Sequence, residues 1–479
     1  MTANLFAELT AAANPAAVFL ERPDGRRDTY ADLLAHTGRL ANALIARGVK
    51  PGDRVAAQVE KTPENLYLYL ATVRAGAVFL PLNTAYTAAE VAYFVEDAEP
   101  ALVVRDADLA ALVEQARGLS PEFETVARAP DDLAAICYTS GTTGRSKGAM
   151  LTHANLASNA ATLTKLWRFT ADDVLIHALP IYHVHGLFVA TNIVLCAGAS
   201  MIFRPRFDAA EVLSLLPRAT ALMGVPTFYT RLLAQPGLTP EAVKGMRLFI
   251  SGSAPLLAET HSEWIRRTHE PILERYGMTE TGMNTSNPYV GVRVGGTVGF
   301  ALPDVSLRIA DPETGAVLPD GEIGVIEVKG PNVFAGYWRM PQKTAAEFRA
   351  DGFFITGDLG RIDERGYVHI VGRGKDLIIS GGFNVYPKEV EAEIDAIEGV
   401  VESAVVGLPH PDLGEGVTAV VAAGPGSALT ETMVLSALSG RLARYKQPKR
   451  VLFVEDLPRN AMGKVQKALL RELHSNLYG

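Results

Sequence analysis

Between Tyr30 and Val104, helical and strand patterns alternate without a break, which limits the chain to a narrow set of folds. Residues 30–47 place Leu33, Leu34, Leu40, Leu44 and Ile45 at helical spacing, with Gly48 as C-cap. Strands are expected at 54–59, 77–82 and 101–104, with helices at 63–74 and 88–97 between them. Strands that alternate with helices of this length build βαβ units around a largely parallel sheet. The pattern resumes downstream, with helices at 153–167, 187–196 and 208–216 and strands at 174–178, 200–203, 221–225 and 247–250. The polar stretch 106–130 reads as a connecting segment, and 297–330 as a small β subdomain of short strands and turns. The last hundred or so residues form a compact α+β unit: a helix at 385–397, strands at 400–408 and 417–422, a helix at 430–445 and a strand at 451–454. The expected class is therefore α/β: a large N-terminal domain (1–374) of αβ-layered subdomains with a β subdomain, and a smaller α+β domain (375–479).

Within this frame, residues 138–148 read YTSGTTGRSKG. Gly141, Gly144 and Gly148 let backbone approach a ligand closely. Thr139, Ser140, Thr142, Thr143 and Ser146 supply hydroxyls, and Arg145 and Lys147 add positive charge. Backbone N–H groups in such a loop make a nest for a polyphosphate. The competing reading is a flexible Ser/Gly surface loop, but apolar runs at 133–138 and 149–151 make the loop a connection between two strands. The Walker A spacing is absent, and a strand follows rather than a helix.

Composition narrows the function further. The chain has 479 residues, 48% hydrophobic and 20% charged, as in ordinary globular enzymes. A net charge of -8 argues against a nucleic-acid binder. Two cysteines, Cys137 and Cys196, form neither a disulfide framework nor a CxxC metal site, which fits a reducing cytoplasm. No basic region precedes an apolar core at the N-terminus, and no apolar run reaches the roughly 18 residues of a membrane span. A soluble cytoplasmic protein is expected.

Four further motifs carry chemistry. Residues 274–280, ERYGMTE, follow the apolar pair Ile272-Leu273 and offer a ring, a glycine, a hydroxyl and a carboxylate near the expected strand end, where α/β sheets bind ligands. Thr356-Gly357-Asp358 follows Phe353-Phe354-Ile355; a strand-end carboxylate there can accept both ribose hydroxyls, or simply cap a turn. Residues 372–376, GRGKD, suit a hinge or a plain linker. Residues 458–464, PRNAMGK, put Lys464 on a glycine-flanked tip that can enter a cleft.

In this order and spacing the five motifs resemble the adenylate-forming superfamily of acyl-CoA synthetases, luciferases and adenylation domains, over nearly the whole chain. Within it, ALPIYHVHGLFVA, SGSAPLLAETH, RYGMTETGMNTSNPY, FITGDLG, GGFNVYPKE and PRNAMGKVQK look like the malonyl-CoA synthetase family. Two features depart from that pattern: the segment 106–130 is short, and Val184 stands where a small polar residue is expected near the acyl pocket.

The resemblance implies two half-reactions: malonate and ATP give malonyl-adenylate and pyrophosphate, and coenzyme A then takes the acyl group. It implies that Thr139, Ser140, Gly141, Thr142, Thr143, Gly144 and Lys147 hold the phosphates. Glu280, with Thr143, would hold Mg²⁺. Tyr276, with Gly277 and Thr279, would stack on adenine beside Ser253 and Ala254. Asp358 and Arg373 would bind the ribose, and Lys464 would act catalytically with Glu280 in adenylation. It also implies rotation about Lys375, which brings Gly381 and Gly382 to the pantetheine tunnel. Malonate's second carboxylate needs a cation, because an unpaired buried charge is costly. Arg293 matches that role by resemblance, a solvated turn arginine being the alternative; His183 and His185 are the other polar candidates, and Met283 limits pocket size. Lys464 is also an expected substrate for a lysine acetyltransferase and deacetylase, since acetylation removes its charge. No nucleic acid or membrane partner is expected. The rival readings are an acyl-CoA synthetase for methylmalonate or another small carboxylate, a carrier-protein adenylation domain, and a non-catalytic nucleotide-binding module.

Overall fold

The computed structural model describes residues 3–139, 146–381, 383–424, 426–460 and 463–479. The chain is α/β. A six-stranded sheet runs in the order Gly336–Tyr337, Lys147–Thr152, Leu133–Thr139, Val78–Pro81, Arg54–Gln58, Leu102–Arg105. Its last four strands are parallel, and the two that flank the glycine-rich loop pair antiparallel, with Thr139 opposite Lys147. A nine-stranded sheet has a parallel centre of Ile272–Met278, Leu248–Ser251, Ala221–Gly224, Val174–His177 and Ser200–Phe203. The β subdomain is a four-stranded antiparallel sheet of Ser306–Ala310, Gly324–Lys329, Phe354–Ile362 and Val368–Arg373, so it extends well past residue 330. One hydrophobic core joins these sheets, and separate clusters that include Ile378, Val405, Val434 and Leu457 serve the C-terminal part.

Local rules account for most element starts. The helix Pro63–Arg74 begins with Thr62 Oγ1 accepting from Asn65 N–H at 3.1 Å and with proline in its first turn. The helix Tyr30–Ala46 opens on a Thr29–Asp32 capping box.

Three expectations are corrected. The segment from 106 is not all connection: Asp106–Arg117 is a helix that buries Leu109, Leu112 and Ala116, a stripe diluted in the sequence by four charged residues on its other faces. The helix expected at 430–445 is Glu431–Leu438, stopping short of Gly440. The apolar helix near 187–196 is a π-helical stretch, His185–Thr191, followed by Asn192–Ala197. Such wide turns concentrate at functional sites, and this one begins inside the histidine-bearing segment. No helix among the described residues is long and apolar enough to cross a membrane.

Candidate active site

The strand Ile272–Met278 carries the site through its centre rather than at its end: it runs on through most of ERYGMTE before turning back into Gly282–Ser286. That turn requires glycine, since a Cβ on Gly277 would lie 1.9 Å from Gly282 O. Asn159 clamps the returning strand from the neighbouring helix, Oδ1 accepting from Met283 N–H (3.1 Å) and Nδ2 donating to Met283 O (3.0 Å). Met283 is thereby buried beside Gly277. Thr279 lines a small enclosed cavity with Val184, Phe188 and Asn159, so Val184 is a wall of that cavity.

Side chains alternate along the strand. On one face Glu274 accepts from Gly296 N–H at 2.9 Å; burial pushes its carboxyl up to about 8, against the pull of the Gly296 and Leu256 N–H groups. On the same face Tyr276 donates to Asp358 Oδ2 at 2.5 Å. Burial, then the Asp358 carboxylate, raise the phenol pKa well above its usual value. Asp358 lies mid-strand in Phe354–Ile362, not at a strand end, and its cross-strand partner is Arg373. Arg373 Nε meets Asp358 Oδ1 at 2.7 Å, and Thr356 Oγ1 accepts from Asp358 N–H. Three residues taken from three motifs thus form one closed network.

Lys464 reaches the same cleft. By area the residue is exposed, yet its ammonium lies among protein groups. Burial, then Arg373, lower its pKa, while Asp358 and Glu280 act in the other direction. Glu280 is buried, and its Oε1 lies 2.9 Å from the Tyr337 hydroxyl. The same hydroxyl lies 2.7 Å from Glu347, which ion-pairs with Lys147 at 3.1 Å. The Lys147 ammonium also sits 4.0 Å from the centre of the Tyr337 ring. Burial raises the Glu280 carboxyl. Tyr337 and Glu347 were not singled out from sequence, since neither lies in a patterned motif. Ser140, Gly141, Thr142, Thr143 and Gly144 lie outside the described residues; Thr139 and Lys147 frame them.

The strand's other face carries Arg275, which sequence reading quoted but gave no role. It is 3% exposed, and its Nε and Nη2 have no hydrogen-bond partner. Its guanidinium packs on Gly252, where a Cβ would lie 2.5 Å away. Burial drives its pKa down to about 9. Around it stand His183, pushed down to about 3 by burial and then by Lys464 and Arg275, and His185, pushed well below the usual value by burial, Arg275 and His183. Both imidazoles are therefore neutral near pH 7. His185 Nδ1 lies 3.2 Å from Ser253 Oγ, and Ser253 takes a positive φ of 69° that brings its loop, with Ala254, against this group. Ser251 Oγ and His185 Nε2 are also buried without partners.

Arg293 is placed elsewhere. It donates to the carbonyls of Pro271 (2.8 Å), Pro288 (3.2 Å) and Tyr289 (3.2 Å), and Glu270, Tyr289 and His261 stand near it. Lys375 lies in the turn Gly374–Asp376 directly after Arg373, and Asp376 is held by Arg471 at 3.0 Å. Gly381, with φ 59°, turns the hairpin between Ile378–Ser380 and Phe383–Val385; Gly382 lies outside the described residues. Among the described residues no group of three or more His, Cys, Asp or Glu is placed to hold a metal.

Comparison with known proteins gives the following. Residues 7–338 match the family described as AMP-binding enzyme, and residues 389–464 match AMP-binding enzyme C-terminal domain. A feruloyl-CoA synthase of Amycolatopsis sp is 37% identical over 468 residues, covering 94% of each chain. A malonate–CoA ligase of Arabidopsis thaliana is 34% identical over 485 residues, 90% of this chain and 79% of that protein. The crystal structure of ATP-bound MatB from Rhodopseudomonas palustris covers 100% of both chains at 63% identity and a TM-score of 0.98, and that of apo MatB superposes with a TM-score of 0.86.

Proposed function

The chain belongs to the AMP-binding enzyme family, and from that premise we propose that it ligates malonate to coenzyme A through malonyl-adenylate, consuming ATP and releasing AMP and pyrophosphate. It is an ATP-dependent acid–thiol ligase. The observation that carries malonate is Arg275: a buried arginine with unpartnered nitrogens, flanked by neutral imidazoles and opening onto the Lys464 cleft. Leaving a buried charge unpaired is costly, and a substrate with a second carboxylate relieves that cost. In this reading Arg275, rather than Arg293, takes the far carboxylate, with His183, His185 and Ser253 as neutral hydrogen-bonding neighbours and Met283 as the pocket's floor.

In the first half-reaction a carboxylate oxygen of malonate attacks the α-phosphorus of ATP, and the bond to the β-phosphate oxygen breaks. Two anions must meet, so fixed positive charge is the main aid. Lys464 and Arg373 place that charge beside Asp358, which with Tyr276 presents a prearranged ribose-side network. We assign Lys147 and residues 139–144 to the departing pyrophosphate, and Tyr276, Gly277, Thr279, Ser253 and Ala254 to the adenine. Glu280 is an oxygen donor buried near Lys147, which fits Mg²⁺ shared with Thr143; the ion would neutralise charge between phosphates.

In the second half-reaction the thiol sulfur attacks the malonyl carbonyl and AMP leaves. We assign the boundary between domains to Lys375, with rotation about it removing Lys464 and bringing Gly381 and Gly382 to the thiol. The closer agreement with ATP-bound than with apo MatB supports reading this arrangement as the adenylating one. The Phe383–Tyr445 ring pair, half-exposed beside Gly381, and the cations Arg444 and Lys449 suit the nucleotide end of coenzyme A, while Arg441, Lys446 and Arg450 are paired with Glu393, Glu389 and Glu431. We also place the enzyme in the cytoplasm, in keeping with its two free cysteines, and take Lys464 as a substrate for a lysine acetyltransferase and deacetylase.

Pyrophosphate exchange into ATP tests the reading. Malonate is expected to support exchange, and malonate with coenzyme A to yield the thioester and AMP. Exchange with acetate or propionate but not malonate would remove the malonate assignment.

A further inference from the structure

Lys464 stands at the end of a tight loop whose backbone closes on itself. Asn460 N–H donates to Lys464 O at 2.9 Å, Gly463 N–H to Asn460 O at 2.8 Å and Gln466 N–H to Pro458 O at 2.8 Å, while Arg459 and Val465 pair antiparallel. Lys464 N–H donates to Asn460 Oδ1 at 3.0 Å. These bonds fix the lysine relative to the loop's own ends. Leu457 and Val465 pack with Ala404, Val406 and Leu408 and hold the base of the loop to the sheet, without a link to the peptide that precedes Lys464.

Arg459 supplies that connection. Its Nη1 donates to Gly463 O at 2.6 Å, the carbonyl of the peptide bond that leads into Lys464. Its Nη2 ion-pairs with Glu402 on the strand Val400–His410. One rigid guanidinium fork therefore spans loop and sheet, a geometry that a flexible ammonium does not reproduce. An isolated ion pair near the surface contributes little to stability, so a pair that grips the peptide next to the cleft lysine has another use. Gly463 supports the same end: its φ of 73° is one that side-chain-bearing residues rarely adopt, and its neighbour across the cleft is Thr227 of the large domain.

We propose that Arg459 is a positioning residue for adenylation: held by Glu402, it fixes the loop so that the Lys464 ammonium reaches the Asp358–Glu280 side of the cleft. The inference rests on the reading of Lys464 as the adenylating lysine. It predicts a defect confined to one half-reaction, because the loop leaves the cleft when the small domain rotates.

The test compares Arg459→Ala, Arg459→Lys, Glu402→Gln and Lys464→Ala in the full-length enzyme. Each is assayed for malonate-dependent pyrophosphate exchange and for conversion of supplied malonyl-AMP and coenzyme A to the thioester. Misplacing a catalytic group by about an ångström costs on the order of a hundredfold. Arg459→Ala is expected to lower kcat for exchange by about ten- to a hundredfold, with KM for ATP and malonate within about twofold of the parent and the thioester step unchanged. Arg459→Lys is expected to fall between parent and Ala, and Glu402→Gln to add nothing when combined with Arg459→Ala, as coupled partners do. Full exchange in Arg459→Ala alongside lost exchange in Lys464→Ala overturns the anchoring role and leaves the lysine assignment standing. Equal loss of both half-reactions in Arg459→Ala overturns it as a structural defect. Normal exchange in Lys464→Ala overturns both.

Discussion

On the proposed ribose side of the Lys464 cleft, Asp358 accepts from Tyr276, pairs with Arg373 and has its own N–H held by Thr356. On the proposed acyl side, Arg275 keeps two nitrogens unpartnered, and Ser251 and His185 each leave a buried polar atom unmet. Both sides hang on a single strand, Ile272–Met278, from its adjacent residues Tyr276 and Arg275. A satisfied network is set before the ligand arrives and treats every acid alike. An unsatisfied buried cation carries a cost that only an anion removes, so it separates acids by charge. Preorganisation for the shared substrate and discrimination among variable ones thus occupy opposite faces of one β-strand.

Substitutions on each side test that contrast. Among the substitutions outside the acyl pocket the largest effect is expected at Lys464, which faces both. Lys464→Ala removes a fixed charge aimed at the reacting phosphate and is expected to cut pyrophosphate exchange by about a hundred- to a thousandfold, while supplied malonyl-AMP is still converted to the thioester; an equal fall in both steps would merge the two roles. Next, Asp358→Ala leaves Tyr276 and Arg373 without their shared acceptor. A hydrogen bond to a charged group contributes about 1.5–3 kcal/mol, so KM for ATP is expected to rise about ten- to a hundredfold, by the same factor whether malonate or propionate is the acid. A factor that depends on the acid would erase the division between faces. The smallest effect on catalysis is expected from Arg293→Ala. Its three acceptors are backbone carbonyls, so the loss is about 1–3 kcal/mol of stability, read by denaturant melts, with malonate and propionate activities unchanged relative to each other.

Residues that sit in patterned motifs were legible in the sequence. Tyr276, Glu280, Asp358, Arg373 and Lys464 come from four motifs and converge on one cleft, because each motif carries its own turn or strand signal. Arg275 lies within such a motif, whose pattern gives it no role. Its importance lies in burial without a partner, which depends on what packs over the strand, here Gly252 and the histidine segment. Arg293 is the converse: family resemblance alone implies a pocket role for it, while its carbonyl partners at Pro271, Pro288 and Tyr289 are fixed by chain reversal that no local pattern shows. Tyr337 escaped for the same reason, joining Glu280 to Glu347 from a two-residue strand at a sheet edge. In the fold, the helix Asp106–Arg117 was hidden because Asp106, Asp108, Glu114 and Arg117 outnumber its buried Leu109, Leu112 and Ala116.

The central claim, that Arg275 awaits the second carboxylate, is tested most directly by the ratio of kcat/KM for malonate to that for propionate in the parent enzyme and in Arg275→Met. Removing one partner of a buried ion pair costs about 3–5 kcal/mol, or about a hundred- to a few thousandfold. The ratio is expected to fall by that factor, with propionate activity kept or raised because the buried charge is gone. A ratio that stays constant while both activities fall together would contradict the claim and return Arg275 to a purely structural place in the strand.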